Sequence, residues 1–262
     1  MHSEHTPLHD LGRRIFGLGT IVFGATGLAW GDFAFNWVPV QPDVPHRALL
    51  AYLTAILLIL GGLGVLWRRT AQAGAVILGV LYVIFALLWL PRVIGFPQIY
   101  GTWGGLLEEL APAPAALIVY AMCSRGDPVR RERLAQLGRY VFGVCVLSFA
   151  AEHFTALPQT AEMVPAWIPP GQRFWAIATG LFFVLAGIAI ISGVMATLGA
   201  RLLTAMFVGF SLLIWFPRLF ALPHAHNVWA GNAVNLTMAG AAWVVADWLA
   251  RRDRYAGAPD RE

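Results

Sequence analysis

Few residues of this chain could do chemistry, and they gather at a handful of positions. Glu152 and His153 are adjacent, Glu108 and Glu109 are adjacent, and Arg92 and Arg218 each close a Trp-x-Pro-Arg motif. A carboxylate beside an imidazole can act as acid and base, pass a proton on, or hydrogen-bond the polar head of an apolar ligand. Neighbouring residues on a helix point roughly 100° apart, so Glu152 and His153 cannot both face one cavity squarely, and one is expected to orient the other. His224-x-His226 offers half of a metal-ligand spacing, with no cysteine and few acids nearby, and no metal site is expected there. Cys123 and Cys145 form neither a C-x-x-C pair nor a zinc spacing.

The elements that must position these groups are membrane helices. Of 262 residues, 58% are hydrophobic and 12% charged, with a mean hydropathy of +0.66, too little polar material to cover a soluble globule. Apolar runs of the length needed to cross a bilayer fall near 13–31, 47–67, 71–91, 104–122, 139–157, 173–194, 198–217 and 231–249. The expected fold is therefore an all-α membrane protein of eight transmembrane helices.

The positive charge is entirely arginine and is scattered between apolar runs, unlike the clustered face of a nucleic-acid binder. Of the 18 cationic side chains, Arg47, Arg92, Arg173 and Arg218 fall on one side of the spans and all others on the opposite side. Cytoplasmic loops retain positive charge, so both termini are expected in the cytoplasm. Met1 to Asp10, with His2, His5 and His9, lacks the basic start and cleavage site of a secretory signal, and the first apolar run is expected to stay as an anchor.

Shifting the chain by 126 positions aligns Leu11-Gly12-Arg13 with Leu137-Gly138-Arg139, Phe16-Gly17 with Phe142-Gly143, and Trp89-x-Pro91-Arg92 with Trp215-x-Pro217-Arg218. The same shift pairs Pro97, Trp103 and Gly105 with Pro223, Trp229 and Gly231. This reads as a tandem duplication: a first four-helix repeat over 11–122, a cytoplasmic linker over 123–136 and a second repeat over 137–250. An even number of spans per unit makes the two repeats parallel, related by an axis along the membrane normal.

In the second half, Glu152-His153-Phe154 precedes Met163-Val164-Pro165-Ala166-Trp167-Ile168-Pro169, and Thr179-Gly180 follows in an apolar span. That order resembles the DoxX family of small four-helix membrane proteins, over roughly residues 137–250 and, in a weaker copy, 11–122. The resemblance implies a bacterial inner-membrane location and association with redox partners in quinone-linked oxidation. The first half departs from the pattern, since Thr26-Gly27 stands where the second has Glu152-His153. Conversely, Val234-Asn235 stands where the first half has Glu108-Glu109.

Each half thus keeps acids where the other lacks them, which leads us to expect one composite site toward the outer leaflet. It would draw Glu152 and His153 as the reactive pair from one half and Glu108, Glu109 and Arg92 as ligand-binding groups from the other. Arg218 is the repeat-related counterpart of Arg92, and both arginines have a second reading, pairing with nearby glutamates or reaching phosphate headgroups. The expected function is a membrane redox-associated subunit that binds a quinone or similar apolar redox molecule and is served by a separate redox protein, because the chain carries no nucleotide, flavin or haem motif. The alternatives are a non-catalytic binding or assembly component and a small-solute carrier. Beyond the lipid bilayer, partners and oligomeric state stay open.

Overall fold

The computed structural model describes residues 10–256, and among these every regular element is helical. His2, His5, His9 and Arg261 lie outside the described residues. In chain order the helices are α1 (Leu11–Trp30), α2 (Arg47–Leu66), α3 (Ala71–Leu88), α4 (Leu90–Gly95), α5 (Tyr100–Leu110), α6 (Pro112–Cys123), α7 (Pro128–Thr155), α8 (Leu157–Met163), α9 (Gln172–Ser192), α10 (Ala196–Phe210), α11 (Phe216–Ala221) and α12 (His226–Ala256). Between α10 and α11 the chain runs through a π-helical turn, Ser211–Trp215.

Seven runs are long and apolar enough to cross a membrane: α2, α3 with α4, α5 with α6, α7, α9, α10 through α11, and α12. They cover seven of the apolar segments read from the sequence. The other segment forms α1, which has 20 residues but is diluted by Arg13, Arg14 and several glycines and threonines. Prolines account for the interruptions. Pro91 and Pro112 each sit in the first turn of a new helix, where a missing N–H costs nothing, so α3 breaks at Trp89 and α5 at Ala111.

The stretch 123–136, expected as a linker, is helical from Pro128 onward. Asp127 caps that start, accepting from the N–H groups of Val129 at 3.2 Å and Arg130 at 3.1 Å.

Around the bundle each helix touches the next in the order α1, α2, α3, α6, α7, α9, α10, α12 and back to α1, and α12 also packs on α6 across the middle. The closure between α1 and α12 needs residues without side chains. A Cβ on Gly240 would run into the backbone of Phe16, and one on Gly19 into the backbone of Thr237. At the end of the bundle holding the start of α1, Asp10 pairs with Arg13, Arg68 and Arg251 at 3.3 to 3.6 Å, tying α1, the α2–α3 turn and α12 together.

Candidate functional site

The opposite end of the bundle holds a cavity of about 420 Å³. Its first wall is the last turns of α7, which contribute Phe149, Glu152 and His153. α7 stops at Thr155, because Ala156 leaves helical geometry and Pro158 opens α8 in a new direction. α8 and the loop behind it form a roof with Thr160, Met163, Val164, Pro165 and Ile168. Gln172 fastens that loop by donating to the Val164 carbonyl at 2.6 Å, and the Trp175 indole donates to the Pro169 carbonyl at 3.0 Å.

The other walls are aromatic and aliphatic: Trp175 and Phe183 from α9, Phe207 and Phe210 from α10, and Leu213, Ile214 and Trp215 from the π turn. Phe183 is a hub, in ring contact with Phe149, Phe207, Phe210 and the imidazole of His153. Two lining residues come from the first half of the chain, Trp37 and Glu108.

Two asparagines one helical turn apart on α12 brace the π turn at its two ends. Asn235 donates to the Phe207 carbonyl at 2.8 Å and to the Ser211 hydroxyl at 2.6 Å, while Asn232 donates to the Trp215 carbonyl at 2.9 Å. These contacts aim Leu213, Ile214 and Trp215 into the cavity. We had not assigned this role to either asparagine, although amides in an apolar helix beside a Trp-x-Pro-Arg motif are the signal for it.

Among the described residues, Glu108, Glu152 and His153 are the only ionisable groups lining the cavity. The Glu152 carboxyl lies against α5 at Gly104, one turn before Glu108, and the two acids are close enough to feel each other's charge. His153 is held by backbone rather than by Glu152. Its Nδ1 lies 2.8 Å from the Phe149 carbonyl and its ring packs at 5.0 Å on Phe183. A carbonyl oxygen can only accept, so Nδ1 carries the hydrogen and Nε2 of the neutral ring carries the lone pair.

The remaining expected residues lie elsewhere. Glu109 turns away from the cavity into the helix interface, 2% exposed, where neither carboxyl oxygen has a hydrogen-bond partner. Tyr82 on α3 lies close to it, and the buried Tyr82 hydroxyl points toward the Thr237 hydroxyl of α12. Arg92 lies over the rings of Phe35 and Trp89 at 4.6 and 4.7 Å, and Arg218 over Trp215 at 5.5 Å. No ion pair among the described residues joins either arginine to a glutamate. Stacking on aromatic faces places both cations beside the site rather than in it.

Thr26 and Gly27, 126 positions before Glu152 and His153, are packing groups. The Thr26 hydroxyl donates to the Phe23 carbonyl at 2.7 Å, and Gly27 accommodates Ala55. His226 lies flat on Trp30 with ring centres 4.9 Å apart, and no cluster of three metal-ligating side chains occurs among the described residues. Comparison with known proteins finds no family profile, no curated protein sequence and no solved structure that matches this chain.

Proposed function

We propose that this chain is a multi-pass inner-membrane protein of two fused DoxX-like four-helix units, eight spans with both termini cytoplasmic, and that it binds a quinone-class ring in the cavity at the end of α7. The observation that carries the reading is the cavity itself. A space of about 420 Å³ is walled by aromatic side chains, with Glu108, Glu152 and His153 as its only ionisable groups among the described residues. Ligand sites have that size and that ratio of apolar wall to polar anchor. A flat ring fits between phenyl and indole faces, and its polar substituents need hydrogen-bond partners, a role open to the imidazole and carboxyls. Electrons would be exchanged with a separate redox protein.

Repeated contacts support the duplication. Arg13 donates to the Val65 carbonyl, and Arg139, offset by 126, donates to the carbonyls of Ile190 and Ile191. Trp89 closes on Gly105 as Trp215 closes on Gly231. The indole of Trp103 donates to the Pro97 carbonyl at 3.1 Å, and that of Trp229 to the Pro223 carbonyl at 2.9 Å. With α1 counted as a span beside the seven runs, the number is eight.

The test is mass analysis of lipids extracted from gently purified protein, wild type beside His153→Ala. The expected result is a quinone or its reduced form carried by the wild type and lost from the variant. Folded protein that is empty in both forms overturns the reading.

A further inference from the structure

The hydrogen atoms around the cavity are nearly all committed to protein acceptors. Thr160 donates to the Ala156 carbonyl at 3.0 Å and Thr179 to the Trp175 carbonyl at 2.7 Å. Asn235 uses its amide on Phe207 and Ser211, Trp175 its indole on Pro169, and Trp37 its indole on Asn227. His153 gives its Nδ1 hydrogen to Phe149. The groups left facing the space are acceptors: the carboxyl oxygens of Glu108 and Glu152, Nε2 of His153, and the lone pairs of two threonines. Even with one proton shared between the two acids, acceptors outnumber donors. The uncommitted donors on the lining are the Trp215 indole and the amide of Gln159, an exposed residue at the rim.

An oxidised quinone presents two carbonyl oxygens, which only accept, and would set acceptor against acceptor at His153 and at whichever acid lacks the shared proton. Its reduced form presents two hydroxyl hydrogens. Leaving buried acceptors unpaired is costly, and a site built for a hydroxyl rejects an analogue that lacks it. Resting on the reading of the cavity as a ring-ligand site, we propose that it selects the hydrogen-donating ligand: a hydroquinone, held by its two hydroxyls on the carboxyls and His153 Nε2, in preference to the quinone.

The experiment measures anaerobic equilibrium binding to delipidated full-length protein in detergent, using three ligands with the same short tail. These are a hydroquinone, its quinone, and the dimethyl ether of the hydroquinone, which keeps ring and oxygens but has no hydrogen to donate. Hydroquinone should bind roughly tenfold tighter than either, the size of one well-made hydrogen bond. In Glu152→Gln an amide donor replaces one acceptor oxygen, and the preference should narrow or reverse. Equal affinities, or tighter binding of the quinone, overturn the selectivity and leave the ring-ligand reading standing. Absence of binding by all three overturns that reading as well. Tighter binding of an alkylammonium with the same tail overturns it in favour of a cationic amphiphile. The wild-type comparison decides the matter even where Glu152→Gln fails to fold.

Discussion

The carboxyl group of Glu152 occupies the space a side chain would fill at Gly104: a Cβ there would stand 2.9 Å from Oε2. A glycine on α5 therefore sets where an acid on α7 can lie, and does so one turn from Glu108. Gly104→Ala should push the flexible end of Glu152 aside with little effect on the thermal midpoint. Affinity for a ring ligand should fall by about tenfold, as for loss of one hydrogen bond. Thermal unfolding and equilibrium binding on the same preparation check this. A large loss of stability with unchanged affinity would show that α5 and α7 themselves had separated.

Asn235 joins α12 to both the last α-helical turn of α10 and the π turn. Asn235→Ala removes one of two donors from the Phe207 carbonyl, which keeps the Ser211 N–H, and takes the amide partner from the part-buried Ser211 hydroxyl. It should cost about 1 to 3 kcal/mol. Because the π turn supplies Leu213, Ile214 and Trp215, bound ligand should also be lost, whereas Asn→Ala at Asn232, which holds only the turn's far end, should cost less. Unfolding midpoints of the two variants in detergent decide the order.

Glu109 and Tyr82 share a buried interface, and among the described residues neither Glu109 carboxyl oxygen has a hydrogen-bond partner, whereas the Tyr82 hydroxyl has Thr237 beside it. A buried polar group without a partner is destabilising relative to an apolar side chain of similar volume. Glu109→Met should raise stability by about 1 to 3 kcal/mol, whereas Tyr82→Phe, which gives up the contact with Thr237, should be neutral or cost up to about 1.5 kcal/mol. Loss of stability in Glu109→Met would instead reveal an acceptor role for this carboxyl in the folded protein.

Topology is open to a direct check. In a background with Cys123 and Cys145 replaced, Trp167→Cys, at a position 73% exposed, should react with a membrane-impermeant thiol reagent added outside intact cells. Arg130→Cys should react only after permeabilisation. The reverse pattern would invert the orientation inferred from the arginines.

Much of this architecture follows from residue types alone. Long apolar runs, prolines at helix starts and Asp127 before Pro128 act locally, so the helices and most of their ends can be read along the chain. Glu152 and His153 stand out along the chain too, because polar groups are scarce in an apolar span, and both line the cavity. Which way adjacent acids turn was not. Glu108 and Glu109 are chemically alike and consecutive, yet one faces the cavity and the other the α3 interface, because α5 lies between α3 and α7 and presents a different side to each. Arg92 offered no local sign that it would lie on Trp89 and Phe35 instead of meeting a glutamate. The π turn, and the asparagines that hold it, likewise required α12 to be in place. Hydropathy and turn chemistry belong to single residues and short segments and are decided by the sequence by itself; the facing of a side chain depends on which helix packs against it, and only the tertiary structure decided that.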